Sequence, residues 1–132
     1  MDSSGRLTHK PTSRQVGQYW ERKAESFLHR RGLTTRERNF NCRAGEIDLI
    51  MNDGNMLVFV EVRFRNNVAY GSGADTVSTR KQKRLTRAAL YFLCRNPRFS
   101  LKPCRFDVIS VGKSQGQTEF RWIRNAFESL SG

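Results

Sequence analysis

Glu46 and Asp48 in Gly45-Glu46-Ile47-Asp48-Leu49-Ile50-Met51, and Glu61 and Arg63 in Met56-Leu57-Val58-Phe59-Val60-Glu61-Val62-Arg63-Phe64, are spaced for metal and phosphate chemistry. Both runs alternate with period two, and Asn52-Asp53-Gly54-Asn55 between them supplies a turn, so the stretch reads as an antiparallel hairpin. Ile47, Leu49, Met51, Val58, Val60, Val62 and Phe64 fall on one apolar face, and the acids with Arg63 fall on the other. Register decides which acids meet. A two-residue loop at Asp53-Gly54 sets Glu46 opposite Glu61, and a four-residue loop sets Asp48 opposite Glu61. In either register the carboxylates share a face and repel unless a proton or a cation lies among them. A divalent metal on Asp48 and Glu61 is one reading. The other is a structural ion-pair network in which Arg63, Arg43 or Arg105 neutralises the acids.

The elements around this hairpin must bring further groups to it. Val16, Trp20, Ala24, Phe27 and Leu28 recur at helical spacing from Gln15 to Arg31, and Gly32 stands where a C-terminal cap belongs. At about 100° per residue, Glu21 falls roughly 80° from the centre of that stripe and Glu25 roughly 120°. The spacing predicts that Glu21 reaches toward the sheet and that Glu25 faces water. A pairing of Glu21 with Arg14 or Lys23 on the helix surface is the plainer alternative. Leu33 to Phe40 reads as a polar edge strand, followed by a loop through Ala44. Arg65 to Thr76 reads as a loop over the site.

Ser78 caps a second helix whose stripe is Leu85, Ala88, Ala89, Phe92 and Leu93, ended by Asn96-Pro97. From Ser78 to Arg98 there are basic residues at 80, 81, 83, 84, 87, 95 and 98 and no acid. A solvated helix face ordinarily mixes signs, so this one predicts a polyanion-binding surface of Lys81, Lys83, Arg84 and Arg87, with Lys81 and Arg84 on the same side and Arg43 and Arg65 near the hairpin. Cys104 to Val111 is a strand carrying Asp107, a turn spans Gly112 to Gly116, and Thr118 to Ile123 is a last strand leading into a short helix or tail through Phe127. Strand, helix and strand in succession imply a parallel crossover and a mixed sheet.

The chain has 132 residues, enough for one core, and a net charge of +12 that favours a polyanion, nucleic acid ahead of an anionic membrane. Residues 1–14 read as a disordered basic arm, 15–127 as one domain and 128–132 as a tail. No secretory leader or membrane span is indicated, which points to the cytoplasm and away from a membrane. Cys42, Cys94 and Cys104 lack metal or disulfide spacing, and His9 and His29 are isolated.

In order along the chain stand a helical acid, a strand Asp, a Glu-x-basic triplet and a basic helix, and this series resembles the PD-(D/E)XK nuclease superfamily. More closely, Gly45-Glu46-Ile47-Asp48-Leu49-Ile50, Phe59-Val60-Glu61-Val62-Arg63 and Arg105-Phe106-Asp107-Val108 resemble the bacterial YraN-like family of uncharacterised proteins, itself similar to archaeal Holliday-junction resolvases. The resemblance implies an α/β, restriction-endonuclease-like fold with a mixed central sheet of about five strands flanked by helices. It implies Mg (or Mn) on Asp48, Glu61 and a backbone carbonyl near Val62, with Glu21 binding or orienting a metal-bound water. Arg63 stands where these nucleases usually carry Lys; a guanidinium clamps phosphate but takes no proton from water.

Two functions follow, a metal-dependent endonuclease for branched or structured DNA and a nucleic-acid-binding module without hydrolytic activity on the same scaffold. An adaptor for an acidic protein or a membrane surface ranks behind both, for want of a basic amphipathic helix with a broad apolar side. Resolving a four-way junction takes two cuts, so a homodimer is expected for that substrate.

Overall fold

The computed structural model describes residues 10–65 and 77–128. Most of the N-terminal arm, the loop over residues 66–76 and the tail from residue 129 lie outside the described residues.

The first helix, α1 (Ser13–Arg30), begins two residues before Gln15 because Thr12 and Gln15 form a capping box. The Gln15 N–H donates to Thr12 Oγ1 at 3.1 Å and the Thr12 N–H donates to Gln15 Oε1 at 2.8 Å, so two backbone donors at the helix end are satisfied together. Gly32, at φ +98°, ends the helix as expected.

Strands β1 (Thr34–Cys42), β2 (Gly45–Asp53) and β3 (Met56–Arg65) precede helix α2 (Thr79–Arg95), a short 3-10 turn at Pro97–Phe99, and strands β4 (Cys104–Ser114) and β5 (Gln117–Phe127). The five strands lie in the order β1-β2-β3-β4-β5, antiparallel throughout except for β3 and β4, which α2 joins in parallel. The architecture is the mixed α/β sheet implied by the sequence, compatible with a nuclease-like fold. Ser78 caps α2, its side chain accepting the Lys81 N–H.

Two expected boundaries are corrected. Gly112 pairs with Glu119, so β4 runs on to Ser114 and the turn shrinks to Gln115-Gly116, both at positive φ as a two-residue hairpin turn requires. The segment after Ile123 is neither helix nor tail; β5 continues to Phe127 because Asn125, at φ +52°, carries the strand through a bend and donates its N–H to Asp107.

Apolar layers cover both faces of the sheet. Leu28 of α1 packs with Leu49, Met51, Val58, Val60 and Ile109 of the sheet, while Leu85, Ala88 and Phe92 of α2 pack with Ile50, Phe59 and Phe106 on the other face. Each such residue, fully buried, contributes about 1.5–3 kcal/mol relative to exposure. Strict alternation fails at one place. Ile47 joins Phe40 in the α2 layer, whereas Leu49, two residues on, joins the α1 layer. Arg38 pairs with Leu49 and Phe40 with Ile47, so Asn39 and Asp48 face each other between them, and Asn39 takes φ +50°. The unbroken apolar face that would have held Ile47 beside Leu49 is therefore interrupted at Asp48.

Candidate active site

The β2–β3 turn is a two-residue loop, as short as the shorter one considered from sequence but one residue further on, because Asp53 pairs with Met56 across Gly54-Asn55. The register is nonetheless the second of the two, since Leu49 pairs with Val60 and the next step along both strands brings Asp48 to Glu61. At that step a side chain enters the ladder, with the Val62 N–H donating to Asp48 Oδ2 at 2.8 Å. Glu61 is buried at 7% exposure, and its Oε2 lies 2.6 Å from the Lys81 ammonium of α2. Burial and then the negative charge of Glu61 push the Asp48 carboxyl up to about 8; the Val62 N–H opposes that rise, and the charges of Glu21 and Glu46 add to it.

Glu21 and Glu46 approach from the α1 side. The Asn39 side-chain amide donates to Glu21 Oε1 at 2.9 Å and lies 3.5 Å from Glu46 Oε2. Asn tolerates the left-handed backbone at this point, so one residue supplies both the bend and the donor. Glu21 thus reaches toward the sheet as its helical angle predicts, and its hydrogen-bond partner is Asn39. A cleft of about 380 Å³ lined by Gln18, Glu21, Asn39, Asn41 and Glu46 opens beside it.

Glu25 corrects the helical-wheel expectation. It is 6% exposed, and it accepts hydrogen bonds from the Thr35 hydroxyl and from Arg38 Nε at 2.9 Å, with Arg38 Nη2 also at 2.9 Å. A wheel measures the angle to the helix's own apolar stripe. It cannot register the polar side chains that edge strand β1 folds over the helix flank.

The basic candidates separate into different jobs. At about 100° per residue, Arg80, Lys83, Arg84 and Arg87 fall within about 100° of one another on α2. All are exposed. Arg84 also packs over Gly45, its Nε 3.7 Å from where a Cβ would stand, at a glycine whose φ is +155°. Lys81 stands at the edge of this stripe, about 60° from Arg84, on the flank nearer the sheet. It lies in line with Leu85, Ala88 and Phe92, and so points at the sheet and reaches Glu61. That alignment is present in the sequence as a lysine at i beside apolar residues at i+4, i+7 and i+11. Arg43 is exposed in the β1–β2 turn, Arg63 lies beside Ser110 on β4, and Arg65 ends β3. Arg105 does not neutralise the site acids; it binds Asp107 and Asp53.

Among the described residues, no three His, Cys, Asp or Glu side chains converge into a metal-ligating group. Asp48 and Glu61 are two carboxylates, and a magnesium site commonly takes one or two with water for the rest. The like-charge repulsion that raises Asp48 is also what a divalent cation would relieve, so this donor set fits such an ion.

The family described as "Uncharacterised protein family UPF0102" matches residues 20–111, which span α1 from Trp20, both site strands, α2 and β4 up to Val111. A UPF0102 protein of Pseudomonas aeruginosa (strain LESB58) is 43% identical over 125 residues, covering 93% of this chain and 100% of the relative. Those of Stutzerimonas stutzeri and Nitrosococcus oceani are 44% identical over 117 residues and 43% over 116, covering 89% and 88% of this chain and 98% and 94% of the relatives. Asp48, Glu61 and Lys81 all lie inside the matched region, and the chain belongs to the UPF0102 family.

Proposed function

We propose that this chain is a nucleic-acid-binding protein that cleaves structured or branched DNA with the help of a magnesium or manganese ion held by Asp48 and Glu61. One observation carries the reading. A partly buried Asp48 is pushed up to about 8 by burial and by Glu61, in a chain of net charge +12. A protein that uses these acids only for structure would neutralise both, as it neutralises Asp107 with Arg105.

The ion, when bound, would polarise a phosphate oxygen and lower the pKa of its water. The protein's own groups do the rest. The Val62 N–H fixes the Asp48 carboxylate, and Asn39 fixes Glu21. Lys81 supplies the ammonium that Arg63 does not, close enough to Glu61 to stabilise charge at a bound phosphate. Arg80, Lys83, Arg84 and Arg87 offer a stripe for the phosphate backbone, which would fix orientation without reading sequence.

The test is incubation of the purified protein with branched, single-stranded and duplex DNA in manganese. Cleavage should vanish in Asp48→Ala and Glu61→Ala while binding persists, and should fall about 10²–10³-fold in Lys81→Ala. The Lys81–Glu61 pair also supports a second reading, a binding module without hydrolysis, because an internal cation already answers Glu61. In that case no cleavage appears with any metal, and charge reversal at Lys83, Arg84 and Arg87 removes binding and flattens its salt dependence.

A further inference from the structure

Among the described residues, three of the six exposed large hydrophobic residues, Val16, Tyr19 and Phe64, gather where the start of α1 crosses the end of β3. Tyr19 is 50% exposed and Phe64 46% exposed, and Trp20 lies buried between them. The Trp20 ring centroid is 5.1 Å from Tyr19, edge on, and 4.9 Å from Phe64, so Trp20 backs both outer rings. The Lys23 ammonium lies 5.3 Å from the Tyr19 ring centre. Phe64 sits between Arg63 and Arg65, three residues beyond Glu61 and two beyond Val62, whose N–H holds Asp48.

We propose that the Tyr19 and Phe64 rings, backed by Trp20, are a stacking platform for unpaired nucleobases, so that the preferred ligand is nucleic acid with unstacked bases, held on the α1 side of the sheet. This deepens the nucleic-acid reading above and rests on it. A flat half-exposed ring takes the face of any base without regard to sequence, and neighbouring cations hold the phosphates on either side. An uninterrupted duplex keeps those base faces covered and leaves the rings unused. A second copy of the chain is the other natural cover for an apolar patch. Each copy carries +12, however, and bringing like charge together opposes self-association while favouring a polyanion.

The test uses the full chain carrying Asp48→Asn, without divalent metal, so that binding is read apart from cleavage. The probes are a labelled single strand, the matching duplex, and that duplex with a short gap. Single-strand and gapped affinity should fall about tenfold or more when Tyr19→Ala and Phe64→Ala are added. Duplex affinity should stay within about twofold, since phosphate contacts alone serve it. Tyr19→Phe should restore single-strand binding, and Phe64→Leu should retain the fold while losing the stack. Equal losses on all three probes, or no loss on any, would overturn the platform. So would sedimentation showing a dimer that Tyr19→Ala and Phe64→Ala dissociate. An Asp48→Ala protein that still cleaves would sink the proposed catalytic site and leave the binding comparison standing.

Discussion

Asp107 and Asp48 lie on strands of one sheet, and each accepts a backbone N–H, yet their surroundings are opposite. Asp107 Oδ1 receives Arg105 Nε and the Asn125 N–H, both at 2.9 Å, and Oδ2 receives Arg105 Nη2 at 3.1 Å and Trp122 Nε1 at 2.9 Å. Its charge is matched and both oxygens are occupied. Asp48 receives the Val62 N–H on Oδ2, and the neighbours that act on its ionisation are the acids Glu61, Glu21 and Glu46. The first arrangement ties β4 to β5 and, through Asp53, to the β2–β3 turn. The second holds a carboxyl where its charged form is disfavoured, which folding alone gives no reason to do. Perturbed groups of that kind collect at sites that meet a ligand.

Removing each carboxylate should sharpen the contrast, because the two changes act with opposite sign. Asp107→Ala leaves a largely buried Arg105 short of its main partner, and it should cost about 3–5 kcal/mol. Urea denaturation of wild type and variant measures this directly. A cost below about 1 kcal/mol would mean that the network is incidental.

Asp48→Asn should instead stabilise the protein at alkaline pH. Asp48 holds its proton up to about 8 in the folded chain, against an ordinary 3.8 when unfolded. That preference favours the folded state fully below about pH 4 and is lost as pH rises toward 8. Asparagine has no such loss, so the variant should gain on wild type across that interval and be the more stable of the two at pH 8. Manganese should close the gap by raising the melting temperature of wild type alone. A variant less stable than wild type at pH 8 would reverse the assignment of Asp48 as the strained member of the pair.

What the sequence conveyed, and what it withheld, follows the range of the forces involved. The hairpin, both helices and the β3–α2–β4 crossover were legible because periodicity and turn residues act over a few positions. The register that brings Asp48 to Glu61 was legible too, but the single face expected to hold all the acids was not, since Glu46 lies toward Asn39 and Glu21 while Glu61 reaches Lys81 of α2. The interruption at Asp48 was not legible. It depends on Asn39 bending β1 directly opposite, a contact between strands that period-two alternation cannot express. The role of Lys81 was half visible, since its alignment with Leu85, Ala88 and Phe92 aims it inward, but a run of basic neighbours suggested one common surface. Glu25 stayed hidden because its partners come from β1, a strand whose polarity fitted an exposed edge.

Glu25 gives the comparison a middle case, a carboxylate nearly as buried as Asp107 but matched by an exposed partner. Burial acts to raise its pKa, and the hydrogen bonds from Arg38 and Thr35, with the charges of Arg38 and His29, outweigh burial and hold it below its ordinary value of 4.5. Its contribution to stability is therefore present above about pH 4.5 and is lost as pH falls through the lowered value. The Arg38 side chain is 61% exposed, so solvent screens the pair, and Glu25→Gln should cost only about 1 kcal/mol at neutral pH. The difference between wild type and variant in thermal melts should shrink toward zero near pH 3. A difference unchanged from pH 7 to pH 3 would show that shape and packing hold α1 against β1. The charge pair would then lose its part in positioning Asn39, the next residue after Arg38 and the donor that reaches both Glu21 and Glu46.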